Sequence, residues 1–165
     1  MKIASCVVLL GILGGLVFWL WTILFPNPEK VVLGRMSSLA AMATVSAGDG
    51  AITRATKASN FIGYFSTDAV INYDVPGLGA RALTGRDEIR ETAAGGFASV
   101  TSLKVQFQDA TARVNPDQQS AEVSCTVRVS TGDSKDFGIQ ELRFQLRKID
   151  GDWLITRAET VKTLQ

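Results

Sequence analysis

The sequence contains no histidine among its 165 residues. This excludes nucleophiles activated by a histidine base and most zinc and non-haem iron sites. Two cysteines, Cys6 and Cys125, are too few for a disulfide framework. The carboxylates do not follow the spacing of a calcium-binding loop. We therefore predict no metal site and no cofactor.

An excess of charge of either sign is also missing. The formal net charge is +1, and the residues from Glu29 onward carry 16 basic and 16 acidic side chains. A protein that binds nucleic acid by neutralising phosphates needs a basic surplus. We therefore expect no nucleic-acid partner, and we expect residues 29–165 to form one balanced globular domain.

Charge is absent altogether between Lys2 and Glu29, and 18 of the 23 residues from Ile3 to Phe25 are hydrophobic. A helix of that length spans about 34 Å, enough for a hydrocarbon core of about 30 Å. Trp19, Trp21 and Phe25 would form an aromatic belt at its end. Residues 1–28 are therefore predicted to be a transmembrane anchor.

A cleaved signal peptide is the alternative, but the apolar stretch is long for one and no small-residue cleavage site follows it. The single basic residue Lys2 before the stretch favours an exported domain, on the periplasmic side of a bacterial-type inner membrane. Gly11 and Gly15 form a small-xxx-small pair that would let another helix approach closely.

Hydrophobic spacing predicts helices over residues 31–45 and 51–65, with Asp49 as N-cap of the second. A strand follows over residues 69–75, and then a loop over 76–80. Thr84 and Asp87 have the spacing of a capping box before a short helix over residues 87–97.

Alternation of apolar and polar residues predicts strands around residues 103–107, 121–129 and 142–146, and a final strand follows over 153–161. Asp150-Gly151 is typical of a hairpin turn. Cys125 alternates with valines and is predicted to be a small core residue. The order of elements predicts an α+β domain of three helices on a curved, mainly antiparallel sheet.

Four segments in this order resemble the nuclear transport factor two-like superfamily, whose cone-shaped fold is shared with ketosteroid isomerase and SnoaL-like cyclases. They are FSTDAVI at residues 65–71, TGRDEI at 84–89, LRFQLRK at 142–148 and DGDWLI at 150–155. The resemblance covers residues 31–164. It implies the fold, and it leaves the function open because this fold carries many functions.

The catalytic residues of these relatives do not transfer to this chain. Tyr73 and Asp74 match the types that ketosteroid isomerases use, but neighbouring strand residues point to opposite faces. SnoaL-like enzymes often use a histidine, which is lacking here. Asp74 is either a pocket carboxylate or a strand-end residue at the following turn, Tyr73 either a ligand contact or a core aromatic, and Arg86 either an anion-binding or an exposed side chain.

A basic strip is predicted to cross the sheet, with acidic residues between its members. It consists of Arg128, Arg143, Arg147 and Arg157, interleaved with Glu122, Glu141 and Glu159. Cross-strand ion pairs on a solvated face are one interpretation. A surface for a second copy or another subunit is the other.

We therefore expect a membrane-anchored, non-catalytic accessory or assembly subunit of an envelope membrane-protein complex that acts through protein contacts. The alternative is a small-ligand binder or a SnoaL-like or ketosteroid isomerase-like enzyme with Asp74 as pocket carboxylate. Contact of the anchor with lipid or pigment in a larger assembly is a third hypothesis.

Overall fold

The computed structural model describes Gly15 and residues 27–75, 79–132 and 137–161. The rest of the predicted anchor, including Gly11, Trp19, Trp21 and Phe25, lies outside these residues. No helix within this described part is long and apolar enough to cross a membrane. The architecture is α+β, with three helices and six strands among the described residues.

Helix α1 spans Pro28–Met42, three residues earlier at each end than the spacing predicts. Pro28 occupies the first turn, where a missing N–H costs nothing, and the Asn27 side chain accepts a hydrogen bond from the Glu29 N–H at 2.9 Å. The helix buries Val32, Met36 and Leu39 on one face. Val45 lies beyond it and pairs instead with Leu103 at the sheet edge.

Helix α2 spans Ala51–Ile62, and its N-cap is Gly50. The prediction of Asp49 as N-cap is wrong. Its carboxylate accepts hydrogen bonds from the Ser46 N–H at 2.8 Å and from the Lys57 ammonium at 2.6 Å. These bonds fix the turn before the helix and lower the pKa of Asp49, the Lys57 bond more than the Ser46 bond.

Strand β1 spans Phe65–Val75 and pairs with a strand absent from the prediction, β2 at Gly79–Thr84. Helix α3 then spans Arg86–Ser99, so the glycine pair at residues 95 and 96 does not end it. The prediction that Thr84 and Asp87 form the capping box is wrong. Gly85 is the N-cap, and the Glu88 carboxylate accepts a hydrogen bond from the Thr84 N–H at 2.7 Å.

The remaining strands are β3 at Leu103–Val114, β4 at Ser120–Thr131, β5 at Phe137–Ile149 and β6 at Asp152–Thr160. The sheet order is β2-β1-β6-β5-β4-β3. Every neighbouring pair is antiparallel except β1 and β6, which are parallel. The mainly antiparallel sheet is thus confirmed, and the hairpin turn lies at Asp150 and Gly151, both with positive φ.

Besides a register shift between Phe65 and Val70 in the parallel pairing of β1 with β6, two breaks in register interrupt the antiparallel pairs. One lies between Gln108 and Thr111 of β3, where Asp109 has φ 51°. The other lies opposite Gln145 and Leu146 of β5, where β6 has Thr156 as an extra residue. Bulges of this kind increase local bending and twist. They place one face of the sheet against the helices, which we call the inner face, and leave the opposite, outer face open to solvent.

Candidate functional site

Aromatic side chains pack between the helices and the inner face. Phe65 and Trp153 are buried, and Phe61 and Phe107 pack against the same core. The ring centroids of Phe61 and Phe65 are 5.1 Å apart, within the range of favourable aromatic pairs. A ligand between the helices and this part of the sheet would have to displace these rings.

Cys125 lies in this core and is only 5% exposed. Burial raises the pKa of its thiol to about 11. A thiol with so high a pKa is protonated at neutral pH and is a poor nucleophile. Cys125 therefore acts as a small apolar residue, as the alternation of β4 predicts.

Tyr73 and Asp74 lie on opposite faces of β1. Ile71 packs against the core, so the two-residue period places Tyr73 on the inner side and Asp74 on the outer side. The pairing of β1 with β2 is continuous from Val70 to Val75, with no bulge to bring the two side chains together. The structure therefore does not bring them into one pocket.

Arg86 ties helix α3 to the sheet. Its Nε donates a hydrogen bond to the Phe65 carbonyl at 3.1 Å, and its Nη2 donates to the same oxygen. Of the two alternatives for Arg86, the exposed side chain in the first turn is wrong, and anion binding stays a prediction. The guanidinium is partly buried and fixes the start of α3 against the first residue of β1.

The predicted charged strip lies on the outer face, along the middle of the sheet. In the register of β4 with β5, Ser124 is opposite Arg143, Thr126 is opposite Glu141, and Ser120 is opposite Arg147. Their inward-pointing neighbours Val123, Phe144 and Leu146 are buried. The outer face is therefore polar along both strands. It carries two concave regions, and each is lined by one bulge residue, Asp109 or Thr156.

An ion pair lies between the two concave regions. Glu122 Oε1 is 3.7 Å from Arg143 Nε, with the two side chains 52% and 43% exposed. An exposed pair of this length contributes about 0–1 kcal/mol to folding. The pair therefore matters for the charge pattern of the outer face more than for stability, because it lies at the boundary between two surfaces of opposite charge.

The first region, which we call the basic concavity, has a volume of about 400 Å³. Two arginines, Arg113 of β3 and Arg147 of β5, lie among its lining residues, with Glu122 as its acidic residue. The other polar residues of its lining are Asn115, Ser120, Gln145 and Thr156. The charges of this lining sum to +1.

The second region, which we call the acidic concavity, has a volume of about 260 Å³. Asp109 and Glu141 are its acidic residues and Arg143 is its basic one. Hydroxyl groups of Thr111, Ser124 and Thr126 complete the polar part of the lining. The charges of this lining sum to −1.

In the part of the chain that the structure describes, no group of three or more acidic or cysteine side chains could hold a metal ion.

Sequence reasoning missed Arg113, Asn115 and Asp109 as members of this surface. The apolar residues of β3 stand at odd positions as far as Phe107, and the inner side chains beyond the bulge, Ala110 and Ala112, stand at even positions. A two-residue period therefore fails across Asp109. The signal in the sequence is Asp109 itself, because aspartate is among the residues that most readily adopt a positive φ, and Asp109 has φ 51°.

Comparison with known proteins identifies the fold. No protein-family model matches the sequence, and no curated protein is significantly similar to it. A solved NTF2-like (nuclear transport factor two-like) protein of unknown function from Pseudomonas putida is similar over 83% of this chain and 87% of its own, with a TM-score of 0.63 and 12% identity.

Two further solved structures agree with this. A protein of unknown function with a cystatin-like fold from Nostoc punctiforme has a TM-score of 0.58 and 14% identity over 78% of this chain and 86% of its own. An NTF2-like protein with a cystatin-like fold from Novosphingobium aromaticivorans has a TM-score of 0.58 and 17% identity over 77% and 76%. The chain therefore has an NTF2-like, cystatin-like fold, as its four segments predict.

Proposed function

We propose that the protein is a membrane-anchored, non-catalytic accessory or assembly subunit, and that the outer face of its sheet binds another subunit or a second copy. The observation that carries the proposal is the pair of oppositely charged concavities on one exposed sheet face. A surface with adjacent acidic and basic regions fixes the orientation of a partner by charge complementarity.

The aromatic packing between the helices and the sheet supports a non-catalytic role. An enzyme with Asp74 as pocket carboxylate needs that side chain in a cavity on the helix side of the sheet. Asp74 lies on the outer side, and aromatic rings occupy the inner side. The absence of histidine from the whole sequence points the same way.

The hydrophobic stretch from Ile3 to Phe25 supports the anchor. It has the length of a membrane span and carries no charge. Helix α1 begins at Pro28, so few residues would separate the anchor from the domain. We propose that the domain is held close to the outer surface of a bacterial-type inner membrane, on the exported side.

Co-purification of the full-length protein in mild detergent, after chemical cross-linking in its own membrane, tests the proposal. We expect a complex with another subunit or with a second copy. The variant Arg143→Glu reverses the charge between the two concavities and should release the partner. The control Arg90→Glu changes a partly exposed arginine on α3, which lies 2.8 Å from Asp87, and should retain the partner. A lone monomer before and after cross-linking would contradict the proposal.

A further inference from the structure

The basic concavity has the charge of a site for one carboxylate. Arg113 lies on β3 and Arg147 on β5, with β4 between them. Their backbones are separated by two strand spacings, about 10 Å, and also by two residues along the strands, about 7 Å, because Arg113 is opposite Glu122 and Arg147 is opposite Ser120. Their side chains therefore stand on either side of Ser120 and Glu122, which lie on β4 in the floor of the concavity.

Neither arginine has an acidic partner within 4 Å among the described residues. Glu122 is directly opposite Arg113 in the register, yet its carboxylate pairs with Arg143. The charge of Arg147 acts on Asp68 of β1 without forming an ion pair with it. Two guanidinium groups are therefore available to a ligand in the same concavity.

Three of the four neutral polar side chains of the lining, those of Asn115, Ser120 and Thr156, have local partners. Asn115 Nδ2 donates to Ser120 Oγ at 2.8 Å, and Ser120 Oγ donates to the Asp117 carboxylate at 3.1 Å. Thr156 Oγ1 donates to the Gln145 carbonyl at 3.2 Å. These bonds hold the floor in place, so the two arginines are the charged groups of the lining with unused hydrogen-bond donors.

We infer that the basic concavity binds an aspartate or glutamate side chain of an acidic segment in the partner protein. Arginine matches a carboxylate because its planar guanidinium donates two parallel hydrogen bonds. The lining itself, with two arginines and Glu122, sums to +1 and can balance one carboxylate, and the Asp117 carboxylate beside the lining accepts hydrogen bonds from the Gln119 N–H and the Ser120 hydroxyl. A doubly charged phosphate would leave the lining with a net charge of −1, whereas a single carboxylate leaves it neutral. This inference rests on the proposed function, because it states the chemistry of the partner at the same surface.

The inference is tested by measuring how tightly two labelled peptides bind the full-length protein in mild detergent. The readout is fluorescence anisotropy at low salt. One peptide alternates glutamate with serine, and the other has glutamine in place of glutamate. We expect the glutamate peptide to bind at least tenfold more tightly. The double variant Arg113→Gln/Arg147→Gln should weaken its binding at least tenfold. The control Lys104→Gln/Arg90→Gln, which loses the same charge elsewhere, should change it by less than twofold.

A second variant keeps the inference testable if the double variant fails to fold. Glu122→Gln raises the charge of the lining from +1 to +2 and should tighten binding of the glutamate peptide severalfold. Weaker binding in this variant would overturn the inference, as would equal binding of the two peptides. Free acetate or inorganic phosphate that displaces the peptide at the peptide's own concentration would also overturn it, by showing a small-anion site.

Failure here differs from failure of the proposed function. If the partner still co-purifies with Arg113→Gln/Arg147→Gln and the glutamate peptide does not bind, the inference is wrong and the accessory role stands. If the peptide binds through the two arginines and no partner or second copy is ever found in the membrane, the accessory role is wrong.

Discussion

Glu122 and Arg143 lie diagonally across β4 and β5, with Oε1 and Nε 3.7 Å apart, at the boundary between an acidic and a basic concavity. Both side chains are about half exposed. The pair therefore contributes little to folding and much to the pattern of charge on the outer face. Because the pair affects the charge pattern and hardly affects folding, a variant at Arg143 tests partner binding without changing stability.

Arg143→Gln should leave the fold intact while it weakens partner binding. Removing an exposed ion pair changes the free energy of unfolding by less than about 1 kcal/mol. Denaturant titration of the full-length protein measures that change, and co-purification measures the partner. A loss of several kcal/mol would show that Arg143 has a structural role instead.

Leu146→Ala should destabilise the domain strongly. Leu146 is 1% exposed on the inner face of β5, and truncating such a residue costs about 2–5 kcal/mol through lost burial and a residual cavity. Ile52→Ala on α2 is the control, because Ile52 is 84% exposed and a surface change costs within about 0.5 kcal/mol. Equal denaturation midpoints for the two variants would contradict this packing.

Arg54→Met should destabilise the end of α3. Arg54 donates hydrogen bonds to the carbonyls of Asp49, Phe97, Val100 and Thr101, and so joins α2 to the last turn of α3 and the residues after it. Bonds from a charged donor contribute about 1.5–3 kcal/mol each, so we expect a loss of at least about 2 kcal/mol. The measurement is thermal unfolding. Arg90→Met should leave the midpoint nearly unchanged, and an equal shift would contradict this role for Arg54.

Cys125 should resist thiol reagents in the folded protein. Its pKa of about 11 lies above the ordinary value of 9.0 because the thiol is buried. About one thousandth of it is ionised at pH 8. Alkylation of a Cys6→Ser background at pH 8 should therefore be slow until denaturant is added. Because the Cys125 thiol holds its proton more tightly in the folded than in the unfolded state, the free energy of unfolding should fall as the pH rises from about 9 towards 11. Fast alkylation of the native protein would contradict the burial.

Much of the fold is predictable because its strands keep a regular period. Val123, Cys125 and Val127 alternate with polar residues and are all buried, and Asp150-Gly151 specifies the turn between β5 and β6 by its positive φ values. The outer position of Arg143 and Arg147 follows from the same period. These features depend on neighbouring residues along the chain, so they can be predicted from the sequence alone.

Other features depend on contacts between distant residues. Strand β2 is missed because nearly all of its short sequence is exposed, so it shows no alternation and is held by its pairing with β1. Arg86 is tied down by a carbonyl 21 residues away. Each of the two concavities is lined by a residue of a bulge, in β3 or β6, that shifts the period by one residue. None of these contacts leaves a repeating pattern in the sequence.

Site-specific photo-cross-linking in the native membrane tests the central claim most directly. A photoreactive amino acid replaces Gln145 on the outer face in one full-length variant and the exposed Ile52 on α2 in another. Outer-face binding predicts a discrete protein adduct from position 145 and little from position 52. No adduct from position 145, or an equal adduct from position 52, would contradict it.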